Sequence, residues 1–135
     1  MRYMIALGAL GLIASINLHA GTQEGIAAAK RGDYKQALDE FTIAANQGDL
    51  EAANYAGWLH LAGPRGVAKN YGEALKWYRY AADAGHRIAQ NNLGYMLRMG
   101  YGVARNPEEA KTWFEKSAAQ NHPEAKANLG QMYCN

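Results

Sequence analysis

The chain has 135 residues, 49% of them apolar, with 14 Lys and Arg set against 12 Asp and Glu. A chain of this length holds one domain with a modest core. The near balance of charge gives no electrostatic footprint for nucleic acid or anionic lipid, so neither is expected as a partner.

Arg2 precedes an apolar run from Met4 to Ile16, which ends in Asn17-Leu18-His19-Ala20. A positive start, an apolar stretch too short to cross a bilayer comfortably and a small final residue form the layout of an export signal. Cleavage is expected after Ala20, which assigns residues 1–20 to a signal peptide and residues 21–135 to a single periplasmic or secreted domain. No Cys stands directly after the apolar run, so a lipid anchor is not expected. The lone Cys134 has no internal partner and no activating neighbour in the sequence, and it reads as a small residue at a helix end.

Beyond the signal an N-terminal helix is expected, and Asp33 with Gln36 then precedes a helical pattern in which Ala37, Leu38, Phe41, Ala44 and Ala45 form the apolar side. A second pattern follows with Ala52, Ala56 and Leu59 on one face, closed by Gly63. Asn70 with Glu73 then opens a helix carrying Ala74, Leu75, Tyr78, Ala81 and Ala82. Ala89, Leu93 and Met96 repeat the earlier face up to Gly100, and Asn106, Pro107 and Glu109 open the next helix. Ala125, Leu129 and Met132 give a last first-type helix. In each opening an N-cap side chain is followed three residues later by Glu or Gln, the signature of a capping box. Gly63, Gly66, Gly100 and Gly102 sit where the chain must turn back within a few residues.

These segments are copies of one another. Gly66, Val67, Asn70, Glu73, Ala74, Trp77 and Ala82 fall on Gly102, Val103, Asn106, Glu109, Ala110, Trp113 and Ala118 at a constant spacing. That period, about 36 residues, belongs to stacked helix pairs. Gly57, Gly94 and Gly130 stand inside the first-type helices, where glycine costs about 1 kcal/mol, and their recurrence predicts close approach of a neighbouring helix. Trp77-Tyr78 and Trp113-Phe114 are expected to fill the space between successive pairs.

The joint pattern A-x-x-x-L-G-x-x-x-x-x-G-x-G-V, then N-x-x-E-A-x-x-W and A-A, resembles the Sel-one-like repeat family, relatives of the tetratricopeptide repeats, over about Gly32 to Tyr133. The resemblance implies an all-α, right-handed α-solenoid of about three helix-turn-helix repeats that scaffolds protein–protein contacts, here with the final helix as a cap. Where the family carries an aromatic three residues after the helix glycine, this chain has His60 and Leu97, and keeps it only at Tyr133. Lys126, Asn128 and Gln131 supply the polar outer side expected of a cap, and a monomer is expected.

No constellation in the sequence demands a catalyst. His86 and His122 are repeat-equivalent, so a solenoid would set them about 10 Å apart. That is too far for ligands that each sit about 2 Å from one metal. His60 reads as a hydrogen-bonded structural histidine, Ser117 as a packed alanine substitute, and Glu108-Glu109 as helix-start carboxylates. No metal and no cofactor are expected. With the apolar faces turned inward, Asn54, Trp58 and Leu61, then Asn91, Tyr95 and Arg98, then Ala127 and Gln131, form a row across successive first helices. Trp, Tyr and Arg are the residue types of interface hot spots.

The expected function is therefore an exported, non-enzymatic module that grips a protein or peptide partner on its concave face, as a periplasmic adaptor, a regulator or a toxin-neutralising immunity protein. The alternative is a hydrolase acting on cell wall or β-lactams, of the cysteine-rich repeat type, though the paired cysteines of that type are missing.

Overall fold

Cap and breaker residues divide the chain into helices of nearly equal length. The computed structural model describes residues 21–134, so the expected signal peptide and its cleavage point lie outside the described residues. Helix α1 covers residues 21–30, followed by α2 (Tyr34–Asn46), α3 (Leu50–Ala62), α4 (Tyr71–Asp83), α5 (Arg87–Met99), α6 (Pro107–Ala118) and α7 (Pro123–Cys134). The described residues contain no strand. Each helix packs against the next in sequence. The described residues thus form a row of antiparallel pairs, α1–α2, α3–α4 and α5–α6, with α7, a further first-type helix, packed against α6.

The caps form as the sequence predicts, but only half of each capping box does. The side chains of Asp33, Asn70 and Asn106 accept from the backbone N–H groups of Gln36, Glu73 and Glu109 at 3.2, 3.1 and 3.1 Å. The reciprocal bond is replaced by one to the end of the preceding helix. The N–H groups of Asp33, Asn70 and Asn106 donate to the carbonyls of Ala28, His60 and Leu97, at 2.9, 2.8 and 2.8 Å, and so tie each second helix to the first. The Glu side chains are thereby released. Glu109 instead accepts from Arg79 of α4 at 3.2 Å and from Trp113 Nε1 at 3.3 Å, which links successive pairs.

Alanine dominates the core because the helices lie close together. Ala37, Ala44, Ala52, Ala56, Ala74, Ala81, Ala89, Ala110 and Ala125 are all fully buried. The recurring glycines show why. A Cβ on Gly57 would meet the Tyr78 ring at 2.7 Å, and one on Gly94 would meet the Phe114 ring at 2.7 Å. Gly25 faces the Phe41 ring in the same way, at 2.5 Å. The aromatic rings therefore plug a notch within their own pair, where the sequence reading had them between successive pairs. Gly130, on α7, meets nothing within 4 Å.

The turns from second to first helices use a left-handed residue at one repeated position. Gly48 and Gly85 hold it at φ 99° and 96°, and Asn121 holds it at φ 62°. Asparagine is the non-glycine residue best suited to that conformation.

Candidate functional site

A stack of helix pairs turns its first helices toward one face, and here α1, α3 and α5 line a groove of about 530 Å³. Its floor is apolar: Phe41 of α2 stacks on Tyr55 of α3 with ring centroids 4.9 Å apart. Its rim carries Trp58, 47% exposed, and Ile88, 38% exposed, with Lys30 and Tyr34 at the α1–α2 end. The Tyr55 hydroxyl donates to Glu51 at 3.1 Å, and burial, with that carboxylate beside it, raises the phenol's pKa and keeps it protonated. The lining contains no Ser, Cys, His or carboxylate.

The expected row of site residues divides into three environments. Asn54 and Trp58 both line the groove, but Asn54 is only 7% exposed and its Oδ1 accepts from Asn92 Nδ2 at 3.0 Å. Asn91 is likewise buried, and its Oδ1 accepts from Asn128 Nδ2 at 2.9 Å. The two bonds form an amide ladder from α3 to α5 and from α5 to α7. The expected exposure of Asn54 and Asn91 is thus corrected: adjacent first helices approach closely enough for these amides to satisfy each other, as buried polar groups must. Asn128 joins that ladder and is not part of the polar outer side. Leu61 is half-buried and packs on the core. Tyr95 sets its ring edge-on to Tyr101, 5.8 Å away, and Arg98 Nη1 donates to Gln131 Oε1 at 3.1 Å.

The sequence reading missed the contribution of α1. Ile26, Ala29 and Lys30 form one wall of the groove, and Tyr34, Tyr55, Ile88 and Asn92 add to it. The N-terminal helix itself was expected, and a signal for its pairing was present: Gly25 precedes Phe41 as Gly57 precedes Tyr78, so the glycine–aromatic pairing extends one helix further back.

The histidines serve the fold. His86 is the N-cap of α5, its Nδ1 accepting from the Ala89 N–H at 3.2 Å. His122 is buried with Nε2 3.1 Å from the Glu124 carboxylate. Among the described residues no group of three His, Cys, Asp or Glu side chains is placed to hold a metal. Ser117 is fully buried and donates to the Arg87 carbonyl at 2.7 Å, a packed position that also ties α6 to α5.

His60 departs from expectation. Its Nδ1 is buried with no hydrogen-bond partner, and so is the hydroxyl of Tyr78. At the equivalent places in the next pair stand Leu97 and Phe114, both fully buried. Two unsatisfied polar atoms in one repeat are thus replaced by two apolar groups in the other. Unmade buried hydrogen bonds are costly, whereas removing both polar groups restores the balance. His60→Leu with Tyr78→Phe is expected to stabilise the fold by on the order of 1 kcal/mol, read as a higher urea midpoint.

The same change should flatten the acid limb of stability. Burial lowers the His60 pKa from 6.5 against the pull of Glu73, with Lys76 adding to the lowering. Burial likewise lowers that of His86 against Glu51 and Asp49, with Arg87 and His122 adding to the lowering. With the folded value below the unfolded one, the unfolded chain binds more protons in between. Stability is therefore complete above the ordinary histidine pKa and falls as pH drops below it. The double variant should lose part of that slope and retain the part owed to His86.

Antiparallel pairs, recurring glycine–aromatic plugs and an apolar groove on the first-helix face define an α-solenoid repeat protein. The Sel1 repeat family profile matches residues 18–49, 50–86, 87–122 and 123–135, and the chain belongs to that family. Its boundaries coincide with the three pairs and with α7. Among solved structures, the chain is similar to a Sel1 repeat protein from Oxalobacter formigenes, with 36% identity and a TM-score of 0.76 over 82% of this chain and 45% of that one. It is similar also to c5321, a protective antigen of uropathogenic Escherichia coli with the SLR fold, with 29% identity and a TM-score of 0.75 over 83% of this chain and 25% of that one. Cysteine rich protein B of Helicobacter pylori shares the fold, at 18% identity and a TM-score of 0.71 over 90% of this chain and 95% of that one. The chain spans less than half the length of the first two. No curated protein sequence matches significantly. Repeats of this family typically mediate protein–protein contacts.

Proposed function

We propose that this protein is an exported, non-enzymatic interaction module whose groove over α1, α3 and α5 holds a segment of a partner protein. The carrying observation is the groove itself, with Trp58 exposed at the rim of an apolar floor. Its volume, about 530 Å³, lies within the range of built ligand sites. An exposed Trp beside an aliphatic residue supplies the anchor from which interface energy usually comes. The lining holds no Ser, Cys, His or carboxylate to pair a nucleophile with a base, which favours binding over the hydrolase alternative.

Export rests on the N-terminal pattern of Arg2 and the Met4–Ile16 run. No helix among the described residues is long and apolar enough to cross a membrane. Within this reading an envelope adaptor, a regulator and an immunity protein that neutralises a delivered toxin share the same groove chemistry. A neighbouring toxin gene would favour the last of these, and a neighbouring sensor gene the second.

The test is capture from envelope extract with the wild type and with Trp58→Ala/Ile88→Ala. Both side chains are exposed, so their truncation leaves the core intact. A hot-spot pair is expected to weaken capture of the specific partner about 30-fold or more. Undiminished capture by the variant would place the contact surface elsewhere.

A further inference from the structure

We propose that the strip formed by the α3–α4 and α5–α6 turns, at one edge of the solenoid, binds an acidic segment of a partner protein. The proposal stands on observations separate from the groove. Residues 63–70 and 98–106 contain Arg65, Lys69, Arg98 and Arg105 and no Asp or Glu. The turns at the other end of the helices, residues 46–49, 83–86 and 119–122, contain Asp49 and Asp83 and no Lys or Arg. The basic character belongs to these two turns alone: the α1–α2 turn sets Arg31 beside Asp33, and at the opposite edge Asp49 and Asp83 are offset by Arg87 and Lys126, which donate to the Gln120 carbonyl and to Asn121.

The basic turns form one continuous strip. Tyr101 of the later turn stacks on Tyr71 beside the earlier one, with ring centroids 4.8 Å apart and planes 14° from parallel. The backbones meet as well, since a Cβ on Gly102 would lie 2.9 Å from that of Tyr71. Lys69 sits over the Tyr71 ring, 5.6 Å from its centroid, and Arg105 Nε donates to the Arg98 carbonyl at 3.0 Å. Lys69 and Arg105 are repeat-equivalent, so the cations recur with the architecture.

None of these four cations pairs with a carboxylate among the described residues. Glu73 and Glu109, at the adjacent helix starts, are taken by Lys76 and Arg79. That leaves Glu108 as the nearest unassigned carboxylate in sequence. Unpaired cations held around a rigid tyrosine stack match a partner that brings its own carboxylates, and complementary charge both steers the encounter and rejects wrong partners. The strip is narrow, two turns wide, which suits an extended peptide better than a flat bilayer.

The experiment is fluorescence anisotropy on the full chain with labelled deca-glutamate, and with deca-glutamine, a single-stranded oligothymidine and phosphatidylglycerol vesicles as competitors. Deca-glutamate is expected to bind, to weaken as salt screens the charges, and to lose about five-fold or more in affinity on Arg98→Gln/Arg105→Gln. Lys116→Gln/Lys126→Gln, which removes two cations away from this edge, should leave binding unchanged. The groove variant Trp58→Ala/Ile88→Ala should leave it unchanged too, so failure of either reading is visible without the other. Equal binding of deca-glutamine, indifference to the arginine pair, or stronger competition by oligothymidine or vesicles would overturn the assignment.

Discussion

Phe114→Ala is expected to lower the stability of the protein by about 3–5 kcal/mol. The ring is fully buried and lies against the open side of Gly94, where no side chain can relax into the space it leaves. The neighbours at the α5–α6 interface include Ala89, Leu93 and Leu97, which are already buried and held by their own helix. The lost transfer energy therefore adds to a cavity that does not collapse. In a solenoid each pair is held only by its neighbours, so the damage is local as well as large. Helices α6 and α7 should separate from α1–α5 in the unfolding reaction, with fast hydrogen exchange confined to residues 107–134. Urea denaturation followed by circular dichroism gives the magnitude, and a loss below about 1 kcal/mol would mean that the plug does not hold the pair together.

The repeat itself was legible because its punctuation is chemically compulsory. A chain that reverses between helices needs a left-handed residue and a capping side chain at fixed places, and Gly63, Gly100, Asn70 and Asn106 occupy them with φ 58° and 74° at the two glycines. What the sequence does not carry is distance between helices. A helical wheel placed Asn54 and Trp58 on one face, and the structure keeps them together in one groove. It does not say that α5 comes near enough for Asn92 to cover Asn54 while Trp58, one turn on, remains half-exposed. The use of Glu109 was hidden for a related reason. Its helix position favours a capping role, but the preceding helix already supplies a carbonyl to Asn106, and the freed carboxylate reaches Arg79 across the stack. Local propensity predicts which bonds a residue is able to make, and tertiary competition selects among them. The groove wall from α1 was not legible because Ile26, Ala29 and Lys30 line it only once α1 packs against α2, a distance between helices that the sequence does not carry.

The glycines offer one substitution with opposite outcomes in two repeats. Replacing a helical glycine by alanine gains about 1 kcal/mol from the backbone alone. At Gly130 nothing lies within 4 Å of the added methyl, so Gly130→Ala should realise most of that gain. At Gly94 the methyl would meet Phe114 Cε1 at 2.7 Å and Cδ1 at 2.8 Å. The ring is fully buried and its backbone is fixed in α6, so it cannot swing away without opening the α5–α6 interface. Overpacking of this kind costs about 1–3 kcal/mol or more, which outweighs the backbone gain. Gly94→Ala is therefore expected to destabilise, and Gly57→Ala to do the same against Tyr78, which presents its ring at the same 2.7 Å. Adding Phe114→Leu to Gly94→Ala should recover part of the loss, because the smaller side chain vacates the contact while still filling the notch. Urea midpoints for the three alanine variants, measured side by side, test the scheme. If Gly94→Ala proves as stabilising as Gly130→Ala, the ring is not seated in the notch, and the close approach inferred for every helix pair fails with it.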